Sequence, residues 1–169
     1  MAIQSAQDLF ITVLSNVHAR EQRSLQLWQE MSKLAQDEDV KEALDTRAYL
    51  TKQSISNLEE CFRILGKQPV KTDTRLHDVL VDDFHRELNE IQQPGLKSLY
   101  IIHKAREIAH IHIGAYKGLV TMAELMGNVP VSALLETNLA AKMVFADRAR
   151  ELTREIGRTV IAAKMRKAA

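Results

Sequence analysis

Glu21 interrupts an apolar stripe of Phe10, Leu14, Val17, Leu25, Trp28 and Met31, spaced by threes and fours along one helical face. A carboxylate carried inward at mid-helix can ligate a metal or balance a buried cation. Lys142 makes a second interruption, with Leu135 and Asn138 before it and Phe145, Ala149 and Leu152 after it. Tyr49 and Lys52 stand beside the stripe of another helix, and His112 stands among Ala109, Ile113 and Tyr116 on a further one. A di-iron or di-manganese centre needs about four carboxylates plus histidines. One glutamate does not supply them, and a charged lysine repels a metal and has no lone pair to donate. The stripes therefore predict a buried pair, Glu21 with Lys142 or Lys52, in the space where metals would sit. In the competing arrangement each long side chain runs out to a helix edge and the centre is apolar.

Other groups offer less. His103, Glu107 and His110 fall at i, i+4 and i+7, a spacing that could cradle one Zn²⁺ with a further ligand; the plainer expectation is a solvated or dimer-facing polar strip. The H-E-x-x-H order of zinc hydrolases is absent. His77 and His85, near Asp82 and Asp83, are expected on the surface. Cys61 follows Glu59 and Glu60, whose charge would raise its pKa rather than activate it. No Gly-rich phosphate loop or nucleophile elbow occurs, so no catalytic residue is assigned.

Five helices would position these groups. The first opens at Ser5, with Asp8 three residues on as in a capping box, and runs to about Gln36. The second starts near Asp37 or Asp39, carries Val40, Leu44, Ile55, Leu58, Phe62 and Leu65, and stops at Gly66. After a linker to Thr72 containing Pro69, a shorter helix spans about Asp73 to Ile91 and is broken by Pro94-Gly95. The fourth runs from about Leu96 to Met126 and ends at Gly127. The fifth begins at Pro130, a good first helical residue, and continues past Ile156 to Ala163 or beyond, with Gly157 loosening its last third. The end of the chain, Lys164 to Lys167 and residues 166–169, is expected to fray. A short helix inserted between the second and third long ones is a long crossover connection, the ferritin-like solution for an antiparallel four-helix bundle. The expected fold is all-α, one ferritin-like domain over residues 1–169.

Composition agrees with that class. The 169 residues are 46% apolar and 27% charged, with six glycines, three prolines and 5% aromatics, which favours long helices over a sandwich or barrel. A net charge of +1 gives no field to steer the chain to nucleic acid or an anionic membrane. No uninterrupted apolar run approaches the ~20 residues of a membrane span. Met1 to Phe10 lacks the pattern of a signal peptide, and the lone Cys61 suits a reducing compartment. The expected location is cytoplasmic.

Three segments carry a family resemblance: DLFITVLSNVHAREQ at the start, LEECFRILGKQP with the following LHDVLVDD, and IAHIHIGAYKGLVTMAELMGN. In the last, Ala115, Tyr116, Leu119, Ala123, Glu124 and Gly127 keep an A-x-Y-x-x-L-x-x-x-A-E-x-x-G rhythm. From Asp8 to about Leu152 the chain resembles the YciE/YciF proteins, stress-linked bacterial members of the ferritin superfamily. The resemblance implies a di-metal site whose first-helix glutamate is kept as Glu21. At the second-helix ligand positions this chain reads Tyr49 and Lys52. The fourth helix reads Ala109-His110-Ile111-His112 in place of Glu-His-x-Glu, and the fifth has Ala141, Lys142 and Ala146 in place of acidic ligands. The di-metal chemistry therefore does not transfer.

The leading expectation is a non-catalytic bundle with a stress-associated structural or partner-binding role, holding no cofactor. Its partner would be a second copy, through Ile101, Leu119 and Met122 as exposed apolar residues, or a metal-binding paralogue. The alternative is a protein or oxidase-like enzyme using Glu21, His112 and His110 or Tyr49 for one Fe, Mn or Zn ion. A haem or small-molecule binder is a third and weaker reading.

Overall fold

Capping residues set where each helix begins. The Ser5 hydroxyl accepts the Asp8 N–H at 3.0 Å and opens α1 (Ala6–Leu34). The Asp37 carboxylate accepts the Val40 N–H at 3.1 Å and opens α2 (Glu38–Leu65). In this computed structural model residues 3–168 are described, with side chains described through residue 162. α2 ends at Gly66, whose φ of 61° is the left-handed conformation glycine adopts at least cost; the Lys67 N–H reaches back to the Phe62 carbonyl at 3.0 Å. α3 (Arg75–Glu90) follows, then α4 (Pro94–Leu125) and α5 (Val129–Ala168).

The boundaries depart from the sequence reading at two places. α3 ends at Glu90, next to the expected Ile91, but α4 starts at Pro94 rather than about Leu96, because a proline at the first helical position gives up an N–H that has no helical partner anyway. α5 begins one residue before Pro130, with the Asn128 side chain accepting the Val131 N–H at 3.3 Å. Helix continues through Gly157, so that glycine does not end the element. The chain end expected to fray lies outside the residues whose side chains are described.

All five elements are helical, and no strand occurs among the described residues. Short connections, residues 35–37 and 126–128, fold α2 back along α1 and α5 back along α4. α1 packs against α2 and α4, α5 against α4 and α2, and α3 lies across α1 and α4. Near one end α4 and α5 come so close that a Cβ on Gly95 would stand 3.2 Å from Val160 Cγ2.

By length and mean hydropathy α5 holds a stretch that could cross a membrane. Here Val131, Leu135, Phe145, Ala146, Ala149 and Leu152 of that helix are buried in the protein. Ile101 and Leu119, expected on an outer face, are fully buried as well, and Met122 is partly buried. α4 touches three other helices, so its apolar residues face inward on more than one side.

The core divides into two apolar clusters. One holds Phe10, Leu14, Val17, Leu58, Tyr116, Leu119 and Leu135; the other holds Trp28, Met31, Leu44, Ile108, Ala109, Phe145 and Leu152. Along α1, α2, α4 and α5 the residues between these clusters are polar and buried: Glu21 and Ser24, Thr51 and Ser54, His112, Asn138 and Lys142.

Candidate functional site

Each long helix contributes to this polar layer at the point where its apolar stripe is interrupted. Glu21 and Lys142 are both fully buried, and the Lys142 ammonium lies 2.9 Å from Glu21 Oε1. The same oxygen accepts the Nδ1–H of His112, also at 2.9 Å. Lys142 reaches Ser54 Oγ at 3.2 Å, and its Nζ stands 4.3 Å from the centre of the Tyr116 ring. Its three N–H donors thus meet a carboxylate, a hydroxyl and an aromatic face. Asn138 steadies the α2–α5 side, donating to the Ser54 carbonyl at 3.1 Å and accepting from Asn57 at 2.8 Å.

Burial alone would push Glu21 toward the neutral acid, but His112, Lys142 and Arg47 outweigh it and hold its pKa below the usual carboxylate range. Burial lowers His112, against the pull of Glu21, so the imidazole is neutral near pH 7 and donates Nδ1–H to the carboxylate. Its Nε2 is then an acceptor, 3.2 Å from Ser24 Oγ, and Ser24 in turn lies 3.4 Å from Nδ1 of His77. His77 is buried rather than on the surface as expected, because α3 lies against α1, and burial pushes its pKa down to about 4. A chain of donors and acceptors thus runs from the Glu21 carboxylate through His112 and Ser24 to His77. Ser24→Ala removes the shared hydroxyl and should cost about 1–2 kcal/mol in urea unfolding, the usual penalty for stranding buried polar partners. An unchanged midpoint would mean the chain contributes nothing.

Not every expected member is present. Tyr49 is 62% exposed and Lys52 is also exposed, so neither joins the cluster. The inward positions of α2 are Arg47, Thr51 and Ser54, continuing the spacing of Val40 and Leu44. His110 is exposed: it is two residues from His112, and 3.6 residues per turn place the two on opposite sides of α4. Glu21, His110 and His112 therefore cannot share one ion. His103, Glu107 and His110 form an exposed strip, and no group of three potential ligands gathers among the described residues. Cys61 is buried, and burial ahead of the Glu60 charge pushes its thiol up to about 12.

The donor set does not fit two divalent ions. It offers one carboxylate and one imidazole, with a lysine ammonium on the carboxylate oxygen and the imidazole engaged at both nitrogens. Arg47 adds a further cation: it is fully buried, with its guanidinium carbon 5.3 Å from the Trp28 ring centre and 5.5 Å from that of Phe145. The layer brings two cations to one anion.

Comparison with known proteins agrees with the fold. A family model described as a domain of unknown function, DUF892, matches residues 5–161. Protein YciF of Escherichia coli (strain K12) is 21% identical over 143 residues, 82% of this chain and 84% of that protein. The crystal structure of the E. coli stress protein YciF superimposes with a TM-score of 0.87 at 17% identity, over 92% of this chain and 99% of that one. YcfI of Rhodopseudomonas palustris, described as a candidate structural protein, gives 0.84 at 24% identity, over 88% and 94%.

Proposed function

From the chain's membership of the DUF892 family, we propose that it is a non-catalytic, ferritin-like antiparallel four-helix bundle, with α3 as the crossover helix and a stress-associated structural or partner-binding role. The observation that carries this reading is the Lys142 ammonium 2.9 Å from Glu21 Oε1, both groups fully buried. A cation covalently tethered to the bundle occupies the electrostatic role of a metal and cannot exchange, cycle between oxidation states or open a coordination position. Similar proteins described as stress or structural proteins support the same direction.

Self-association into a homodimer belongs to this proposal. With Ile101 and Leu119 buried, the exposed apolar residues a second copy could cover include Leu76 and Val79 on α3, Leu125 and Val129 at the α4–α5 turn and Val144 on α5. Sedimentation of the purified protein tests it, and a monomer at high concentration would remove this part.

The test of the central claim is metal content by mass spectrometry after anaerobic incubation with Fe²⁺, Mn²⁺ or Zn²⁺ and desalting. The expected result is far below one ion per chain for all three. One ion per chain, lost in Glu21→Ala and in His112→Ala, would overturn the reading in favour of a single-metal protein.

A further inference from the structure

The hydrogen-bond chain that leaves Glu21 ends on a nitrogen with no partner. His112 donates Nδ1–H to Glu21, so its Nε2 takes the Ser24 hydroxyl proton at 3.2 Å. Ser24 has then used its one proton and accepts from Nδ1–H of His77 at 3.4 Å. What remains on His77 is the bare lone pair of Nε2. Burial, with the Arg23 and Arg20 charges nearby, keeps the ring neutral at pH 7 against the pull of Asp78. The residue is 3% exposed, and Nε2 makes no hydrogen bond yet is not sealed from solvent. A lone pair on a ring held this firmly is a fixed acceptor, and it lacks a donor.

His77 lines a cavity of about 360 Å³ between α1 and α3, with Leu27 and Val81 as apolar wall. The charges around it are Arg23 with Glu30, Asp78 and Asp82, one positive to three negative. Arg23 pairs with Asp78 at 2.7 Å, and Arg86 pairs with Asp83. Asp82 is exposed and pairs with no cation among the described residues, while Glu30 gives one oxygen to His85 at 2.7 Å and keeps the other. The unused groups are therefore acceptors, and the charge balance opposes an anion. No group of three potential ligands gathers for a metal ion among the described residues. Acceptors stand at about 2.7–3.2 Å from an ammonium nitrogen, against about 2.0–2.2 Å for zinc ligands, so groups too widely spaced for a metal still suit an ammonium. We infer that this cavity binds a small primary alkylammonium ion, its N–H donors shared by His77 Nε2 and the Asp82 and Glu30 carboxylates and its alkyl chain against Leu27 and Val81.

The probe is n-butylammonium, titrated at pH 7 into the full chain carrying ¹⁵N-labelled histidine, with calorimetry giving the affinities. Before ligand is added, the nitrogen spectrum should show His77 protonated at Nδ1 and bare at Nε2; the opposite tautomer overturns the inference. Butylammonium should move the Nε2 resonance saturably, at concentrations where butanol leaves it in place. Butyltrimethylammonium, of the same charge but without N–H donors, should bind about tenfold more weakly or worse. His77→Phe should abolish binding. Asp82→Asn, at an exposed position, should weaken it about tenfold, and this variant keeps the test valid if His77→Phe does not fold. An absent or non-saturating shift overturns the inference, as does full-strength binding to Asp82→Asn. Equal binding of butyltrimethylammonium would reduce the site to charge attraction and reject it. Zn²⁺ displacing butylammonium at equimolar concentration would assign a metal ion instead. Tighter binding of Nα-acetyl-lysine methylamide would make the cavity a seat for a partner protein's lysine and reject the free amine.

Discussion

Glu21→Gln is expected to cost about 3–5 kcal/mol of folding free energy, the range for removing one partner of a buried ion pair. At this chain length that lowers the thermal midpoint by about 10 °C. The change keeps the shape of the side chain and removes its charge, leaving Lys142 and Arg47 buried with no anion between them. Lys142→Met should cost less, about 1–3 kcal/mol. It replaces the ammonium with an apolar chain of similar length, removes the donors to Glu21 Oε1 and Ser54 Oγ, and leaves Glu21 with one buried cation in the layer, which becomes neutral. In the double variant the carboxamide no longer faces two cations. Its cost should fall short of the sum of the singles by about 2 kcal/mol, within the coupling seen for residues in direct contact. Urea unfolding of the four proteins completes the cycle. Strict additivity, or a Glu21→Gln cost under about 1 kcal/mol, would mean that the pair is solvated and does not organise the core.

The two ends of that pair were legible in the sequence for a local reason. Glu21 has Val17 and Leu25 four positions away on its two sides, and Lys142 has Leu139 and Phe145 three positions away on its two sides, so a helix that buries its stripe must bury them. On α2 the expected stripe of Val40, Leu44, Ile55, Leu58, Phe62 and Leu65 names no member between Leu44 and Ile55, and Tyr49 and Lys52, expected beside it, are exposed. Extending forward from Val40 and Leu44 by threes and fours reaches Arg47, Thr51, Ser54 and Leu58, the residues that are buried. The signal was present, but a fully buried arginine is rare enough to be passed over. What buries Arg47 is two rings on α1 and α5, far away in sequence. His77 had no local signal either. Its burial depends on α3 lying against α1, a contact between residues more than fifty positions apart.

Stability should rise between pH 8 and pH 10.5 through Lys142, a direction opposite to that of ordinary surface lysine pairs. Burial, against the attraction of Glu21, lowers its pKa from 10.5 to about 8 in the fold. In that window the unfolded chain holds a proton that the folded chain has released, so unfolding free energy increases with pH. The contribution is complete above the unfolded pKa and lost as pH falls through 8. The full effect is on the order of a few kcal/mol. Cys61 acts the other way. Its thiol is pushed from 9.0 to about 12 by burial, so the folded chain keeps a proton the unfolded one loses, and stability falls above pH 9. The two effects overlap, and a Cys61→Ala background separates them. In that background unfolding should become harder from pH 8 to 9.5, while the further change Lys142→Met should flatten the dependence. Parallel curves for the two proteins would show that Lys142 carries its ordinary pKa and is hydrated, and the buried pair would fall with it.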